Sequence, residues 1–450
     1  MKTLLLIFTI YLGVLTGTAQ TLTRNQALAD IDEYNQVLKE VHYNPFLYIT
    51  PAAYSNKVDS LKQTLTDSLD VKVFLLKLYS LTAVLNDGHT MPAVVQPIFK
   101  SDFRNKIYFP LALKPGHDGR LYTQQASLDI PAGAALLSIN GINITRFYAQ
   151  AVGYFGGLLP FKKQMAAGLL GNYLYYSGVK PPFRVTYALN GRTRSALIGE
   201  GVILKESLST AFPQLAGTDY TFKIIDKKVG YINLISMGDD YKRYGAFFDS
   251  CFTAVKAAKI KTVAIDLRKN SGGNAIIAHL LISYFNTRPY ALSGGRYWRV
   301  SQRYKDMLIS RGDTGNLYHK QPNNTIIDQR QCGPRNPMFV NNKLLFDGKV
   351  YLITGPATFS SAMQLADAVK EYHMATIIGQ PTGENSNDFG EVYKFNLPNS
   401  KIQMQVTTTF DLGAECNPTK NHPVIPDHLI NDAAIVQPDA AIQYIFKHLK

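Results

Sequence analysis

Lys349-Val350-Tyr351-Leu352-Ile353-Thr354-Gly355-Pro356-Ala357-Thr358-Phe359-Ser360-Ser361-Ala362-Met363 reads as an apolar strand, a tight turn and the first turn of a helix. The helical run continues from Ala362 to Tyr372. Leu365, Ala368 and Val369 fall on one face of it, and Asp367, Lys370 and Glu371 lie off that face. A strand feeding a helix through so short a turn is the unit of an α/β domain. A serine at that turn has an exposed hydroxyl, and the first N–H groups of the helix point at whatever binds there. Such a serine suits a nucleophile whose attack creates an oxyanion. It equally suits an N-cap, the commonest use of serine at a helix start. This stretch alone leaves both readings open.

The same pattern extends on either side. Val229–Leu234 reads as a strand and Tyr244–Lys259 as a helix, with Phe247, Phe248, Phe252 and Val255 inward. Thr262-Val263-Ala264-Ile265-Asp266-Leu267 is a continuous apolar strand of the kind covered on both faces. It opens onto Arg268-Lys269-Asn270-Ser271-Gly272-Gly273-Asn274 and then a helix from Ile276 to Phe285. Residues 286–347 read as a long connection rich in Arg, Tyr, Asn and Gly, of a length that usually carries function or disorder. After the Ser360 turn come a helix, a strand over Ala375–Gly379 and the turn Gln380–Asn385. A hairpin through Leu397–Ser400 follows, with Lys401–Thr408 as its second strand. A closing helix runs from about Pro438 to Leu449. Residues 226–450 therefore read as one α/β domain.

Residues 20–100 read as a helical segment. Ala27, Ile31, Tyr34, Leu38 and Val41 recur at helical spacing, so Thr23–Glu40 is predicted to be an amphipathic helix. Further helices are predicted over Pro51–Leu65 and Val71–Leu85. The last stops at Asn86-Asp87-Gly88-His89-Thr90-Met91-Pro92, with Gly88 placed as a left-handed C-cap and Pro92 barring resumption. This holds His89 on a short turn. Residues 101–225 change to strands and turns. Ile107–Leu113 and Arg120–Thr123 read as strands around a Gly-rich turn, and Phe183–Leu189 ends in an Asn190-Gly191 hairpin signal. Ile130–Ile144, a small-residue turn and an apolar strand ending in Asn140-Gly141, resembles the carboxylate-loop segment of a bacterial PDZ domain. Residues 147–180 read as an aromatic- and glycine-rich helical insertion in it.

Composition narrows the classes. Of 450 residues, 46% are hydrophobic and 18% charged, which argues for a packed globular chain and against disorder. The net charge of +14 is spread along the chain with no basic arm, and no nucleic-acid-binding signature is present, so nucleic acid is not an expected partner. Cys251, Cys332 and Cys416 are far apart, and no paired-cysteine motif suggests a metal or redox site. One disulfide with one free thiol and three buried thiols are both open. Met1-Lys2-Thr3, the apolar run Leu4–Leu15 and the small residues Thr16–Ala19 read as a cleaved secretory signal over residues 1–19. No other run reaches the ~18 apolar residues of a membrane span. An exported protein, periplasmic or extracellular, is expected. No P-loop, HExxH, GxGxxG or Gly-x-Ser-x-Gly pattern occurs, and cofactor-free, metal-free chemistry is expected.

Ile265-Asp266-Leu267-Arg268-Lys269-Asn270-Ser271-Gly272-Gly273 resembles the DLR-x-N-x-G-G signature of the tail-specific, or C-terminal processing, serine peptidases. Thr358-Phe359-Ser360-Ser361-Ala362 followed by Ile378-Gly379-Gln380-Pro381-Thr382-Gly383 resembles the nucleophile turn and next strand of that family, in the same order. The resemblance implies a ClpP/crotonase-like α/β catalytic domain with an N-terminal helical segment and a PDZ-like domain. It also implies a serine endopeptidase acting on protein or peptide substrates. The Ser-Lys branch places a lysine shortly after the Gly-x-Pro-Thr turn. Asn385 stands about there, and Met363 replaces the glutamate that commonly follows the nucleophile turn. The chain is therefore closer to the branch of the tricorn core and the interphotoreceptor retinoid-binding proteins, whose base is a histidine from the N-terminal segment. Asp87-Gly88-His89-Thr90 is similar in placement, with Gly88 where that branch has a serine.

On this resemblance Ser360 is the nucleophile and His89 the base, since a serine needs a base with a pKa near 7. A third member would orient the imidazole. Glu415 is the expected one, with Asp87 a second candidate. Gly272, Gly273 and Ser361 would supply oxyanion N–H groups, since glycines let backbone approach substrate closely. Loss of one such donor typically costs ~3 kcal/mol in the transition state. The competing reading is a catalytically inactive binding protein on the same scaffold, motivated by the missing lysine and by Met363 and Gly88.

Overall fold

A computed structural model describes residues 20–209, 211–217, 219–341, 343–419, 421–430 and 439–449. The expected signal segment 1–19 and Pro438 lie outside the described residues.

The first helix, Arg24–Val41, starts at Thr23, whose side chain accepts the Gln26 N–H while Gln26 caps Thr23 in return. Its buried face carries Ala27, Ile31, Tyr34, Val37, Leu38 and Val41, and also Asp30. That buried carboxylate is satisfied: it accepts the N–H groups of Asn399 and Ser400, both at 2.8 Å. The helix is thus tied to the turn of a hairpin more than 350 residues away. Helices Pro51–Gln63 and Val71–Thr82 follow, the latter finished by a 3-10 turn at Ala83–Leu85. The left-handed residue that ends it is Asn86 (φ 56°), not Gly88. An Asn tolerates that conformation nearly as well as glycine, which is why the stop is displaced by two residues.

An antiparallel sheet follows in the order Leu113–Pro115, Leu121–Thr123, Ala135–Ile139, Phe183–Leu189, Arg192–Ile198, with Ile142–Asn143 folded back on Ala135–Ile139. The Asn190-Gly191 turn joins its last two strands as predicted. The stretch Ile107–Leu113 contributes a strand only from Leu113, with Tyr108 making an isolated bridge to Val202. Within this sheet's sequence sits the helical insertion, as Ile144–Val152, Leu159–Gly168 and Leu170–Tyr176.

The α/β part is built on a six-stranded sheet in the order Tyr220–Ile225, Val229–Leu234, Thr262–Asp266, Lys349–Thr354, Thr376–Gly379, His428–Leu429. Its first pair is antiparallel and the rest parallel. Thr262–Asp266 is buried throughout, as its unbroken apolar run requires. A second sheet pairs Ile326–Asp328, Gly295–Arg299, Gln403–Leu412 and Asp388–Asn396. Residues 286–347 are therefore not a plain connection: they hold two strands of this sheet and the helix Gln302–Ser310. Ile326–Asp328 forms the edge of the sheet, and neither strand is fully buried, so their residues stay polar on the side that meets water. Cys332 and Cys416 form a disulfide that pins this segment beside the end of Gln403–Leu412, and Cys251 is a buried free thiol. Among the described residues no helix is long and apolar enough to cross a membrane.

Candidate active site

Ser360 stands at the N-cap of the helix Ser361–Glu371, yet its side chain makes no capping hydrogen bond. Its backbone is at φ 53°, ψ −131°, a region that costs a non-glycine residue about 1–3 kcal/mol unless its surroundings impose it. They do so here. The Ser360 N–H donates to Glu384 Oε2. The Phe359 N–H donates to the Asn270 carbonyl at 3.1 Å, and the Gly383 N–H to the Thr358 carbonyl at 2.9 Å. Thr358 Oγ1 donates to the Leu267 carbonyl and accepts the Gly355 N–H. The turn is thereby bound to both neighbouring turns of the parallel sheet, and the serine hydroxyl is left free of cap duty.

The Arg268–Asn274 turn lies directly on this elbow. A Cβ on Gly272 would fall 2.7 Å from Ser360 Cβ, and one on Gly273 would fall 1.9 Å from the Met237 carbonyl oxygen. Both glycines have positive φ, so the turn tolerates no side chain at either position. Asn270 braces it: its Nδ2 donates to the Leu234 carbonyl, and its Oδ1 accepts the Gly272 N–H at 2.8 Å. Gly272 N–H is therefore already committed and does not serve as an oxyanion donor. The N–H groups of exposed Gly273 and of Ser361, the first residue of the helix, remain as donors at the nucleophile. Ser361 Oγ donates to the Gly273 carbonyl at 2.7 Å and holds the two together.

His89 reaches this site because Met91–Pro92 pairs with the second sheet, opposite Gln405 and Met404. Gln405 Nε2 donates to the His89 carbonyl at 2.8 Å, and the Thr407 N–H donates to Thr90 Oγ1 at 3.1 Å. Inside the turn, Asp87 Oδ1 accepts the His89 N–H at 2.7 Å. Asp87 Oδ2 accepts from Thr407 Oγ1 and faces His42 Nε2 at 3.1 Å. His42 Nδ1 accepts the Asn44 N–H, so Nε2 carries the proton toward Asp87. Burial works against the charge on Asp87, but the His42 contact outweighs it and holds the carboxyl well below 3.8. Asp87 thus orients the backbone of His89, not its ring.

The ring of His89 lies 4.8 Å from that of Phe359, and its Nδ1 is 3.3 Å from Glu384 Oε1. Burial depresses its pKa below 6.5, against the opposing field of Asp87. With Nδ1 turned to a carboxyl, Nε2 is the nitrogen left to act as base. Glu384 is buried, and burial together with the charges of Asp388 and Asp87 pushes it well above 4.5. Asp388 is also raised, by burial and the charge of Asp87, against an opposing hydrogen bond with Glu384, so protonation of one of these neighbouring carboxyls is coupled to that of the other.

Glu384 links Ser360 to His89, and Ser361 Oγ ties the Gly273 turn to the same elbow. Glu415 does not join them: it is exposed, and its charge acts on Asp367. The carboxyl beside His89 is Glu384, which the sequence reading passed over. The signal was an acid directly after Pro381-Thr382-Gly383, one residue before Asn385. Asn385 itself bridges to Pro423. Met363 is buried in the core behind the helix. Among the described residues no group of three or more His, Cys, Asp or Glu side chains is arranged to hold a metal.

Residues 228–430 match the model of peptidase family S41. Among solved structures, mature CPAF complexed with lactacystin is similar with a TM-score of 0.62 at 16% identity, over 90% of this chain and 93% of that one. A point mutant of CPAF gives 0.66 at 14% identity, over 90% and 93%. At such identities the likeness is one of fold. No curated protein matches the chain in sequence. The match of residues 228–430 to a peptidase family, together with the likeness in fold to a solved peptidase structure, supports a serine-type peptidase, a hydrolase.

Proposed function

We propose that this chain is an exported endopeptidase that cleaves protein or peptide substrates with Ser360 as nucleophile, His89 as base and Glu384 as the orienting carboxyl. One observation carries the reading. Ser360 sits where a serine would cap a helix, declines to cap, and is held in a strained conformation by a bond from its own N–H to the carboxyl that faces His89.

In the reaction Ser360 Oγ attacks the substrate carbonyl carbon while His89 Nε2 takes the hydroxyl proton. Glu384 holds the opposite side of the ring and stabilises the imidazolium. The Gly273 and Ser361 N–H groups receive the oxyanion. Collapse breaks the C–N bond, and His89 gives its proton to the leaving amine. Water, activated by the same nitrogen, then releases the acyl group and restores the serine. No lysine, metal or cofactor is required. The family resemblance seen in the sequence supports a helical segment over 20–100, a PDZ-like domain with an insertion over 101–225 and a catalytic domain over 226–450. It also supports the branch that uses a histidine base. The binding-protein reading rested largely on the missing lysine, and His89 beside Glu384 supplies a base without one.

The test is labelling of the protein by a fluorophosphonate probe, with Ser360→Ala and His89→Ala as comparisons. Labelling that needs both residues supports the reading. A folded wild-type protein that takes no label refutes it.

A further inference from the structure

Phe161 belongs to the helical insertion, far in sequence from Ser360, His89 and Glu384. Its ring stacks on Phe359 with centroids 4.2 Å apart and planes within 13°. A Cβ on Gly88 would lie 3.7 Å from Phe161 Cε1, and one on Gly383 would lie 3.2 Å from Phe161 Cβ. Phe359, Gly88 and Gly383 are the residues immediately before Ser360, His89 and Glu384. One side chain thus stacks on the residue ahead of Ser360 and borders the space left open by the glycines ahead of His89 and Glu384. Phe161 is 5% exposed and Phe359 likewise 5%, so neither ring lines an open subsite. The approach is close along the backbone as well. A Cβ on Gly156, in the loop that leads to Phe161, would lie 2.3 Å from the Asp87 carbonyl oxygen.

We propose that Phe161 is a positioning residue of the Ser360–His89–Glu384 site, and that the helical insertion is a working part of the catalytic apparatus. The assignment rests on the peptidase reading above. Three turns from distant parts of the chain meet here, and their relative positions must hold to a fraction of an ångström for proton transfer. The stacked rings fill the space between them. Phe359 also underlies the His89 ring, so a shift of Phe359 moves base and nucleophile together.

The test compares fluorophosphonate labelling rates, and their dependence on pH, for wild type, Phe161→Ala, Phe161→Leu and Phe183→Leu. Phe183 is an equally buried ring of the same core that packs on Phe109. All four are melted under the same conditions. The expected result is labelling slowed roughly 10- to 100-fold in Phe161→Ala, with an intermediate rate in Phe161→Leu. The acid limb of the pH profile moves upward as His89 becomes better hydrated. Phe183→Leu loses a similar amount of thermal stability and labels at the wild-type rate. Where Phe161→Ala does not fold, the two leucine variants decide. Equal rates in Phe161→Leu and Phe183→Leu overturn the inference while leaving the peptidase reading intact. A wild-type protein that takes no label removes both, and that outcome is seen before any variant is compared.

Discussion

Glu384→Gln replaces the carboxyl behind His89 with a neutral amide that cannot ionise and keeps the shape of the side chain. The amide oxygen can still accept the Ser360 N–H, so the strained elbow should survive. The amide nitrogen would then face His89 Nδ1, favouring the tautomer with its proton on Nε2. That is the wrong one for a base. The electrostatic loss follows from the separation of 3.3 Å between Nδ1 and Oε1. At an effective dielectric of about 20, a carboxylate there stabilises an imidazolium by about 5 kcal/mol. Protonation coupled to that of Asp388 and incomplete desolvation reduce this, and each 1.4 kcal/mol is about a factor of ten in rate. The expected fall in acylation rate is therefore between about 100- and 10,000-fold, the range set by comparable triad variants. Stability should change little, since a protonated glutamate and a glutamine fill the same volume and offer similar hydrogen bonds. The assay is the second-order labelling rate at neutral and at alkaline pH, with a melting curve on the same sample. A variant that labels within roughly threefold of wild type, a difference under 1 kcal/mol, would show that His89 does not depend on Glu384.

The other expectations concern pH and cross-linking. Labelling should fall as pH drops through a His89 pKa below 6.5, and a second rise should appear as the Glu384–Asp388 pair, held above the carboxylate range, loses its proton. Asp388→Asn should move that second rise to lower pH by roughly one unit, because a neighbouring charge that favours protonated Glu384 is gone; an unmoved profile would count against the pair. Asp87→Ala leaves His42 and the His89 N–H facing an empty site and should cost about 3–5 kcal/mol in urea unfolding at neutral pH. Because the folded pKa of Asp87 is depressed, its contribution is present above 3.8 and lost as pH falls further. Wild type and variant should therefore converge in acid, and a gap that persists there would refute the assignment. Breaking Cys332–Cys416 by serine substitution opens a loop of 84 residues, for which chain entropy predicts a loss of about 4.6 kcal/mol. A melting temperature indifferent to reductant would contradict this.

Much of the catalytic half is legible in the sequence because each turn there has a strong local cause. Thr262–Asp266 announces a doubly covered strand, and Gly272-Gly273 announces a turn that admits no side chain. Two failures have the same origin. Gly88 looks like a helix stop, but Asn86 does that work. What excludes a side chain at 88 is the ring of Phe359, 2.7 Å from where a Cβ would stand. No local signal reports a contact with a residue 271 positions away. Glu415 looks like the third member because it lies near the expected C-terminal region, while Glu384 is hidden by its place in a turn. What separates the two acids is burial, the approach to His89 and the hydrogen bond from the Ser360 N–H, all products of the assembled fold. The strands inside residues 286–347 give little signal for a different reason, since both are short and only partly buried and so carry no clear apolar alternation.

The division of labour in the site runs across the family boundary. Ser360, Gly273 and Glu384 lie within residues 228–430, the segment that matches peptidase family S41. His89, Asp87, His42 and Phe161 all lie before it. The first group supplies the elbow, the proposed oxyanion donor and a buried acid, and the proposed base stands outside it. His89, the proposed base, stands two residues before a short strand, Met91–Pro92, that pairs with the second sheet. Short as it is, that pairing is reinforced by Gln405, by the Thr90–Thr407 contacts and by Asp87, which bonds to Thr407 and to the His89 N–H at once. A base supplied from outside the nucleophile's own domain must be held by contacts this specific, because a loosely packed interface would let the imidazole drift by more than proton transfer allows. The buried His42–Asp87 pair and the Phe161–Phe359 stack serve that need from opposite sides of the turn. One fixes the backbone of residue 89 and the other the surface on which its ring rests. On the proposed mechanism, the N-terminal turn and the helical insertion therefore belong to the site together with the segment that carries the serine.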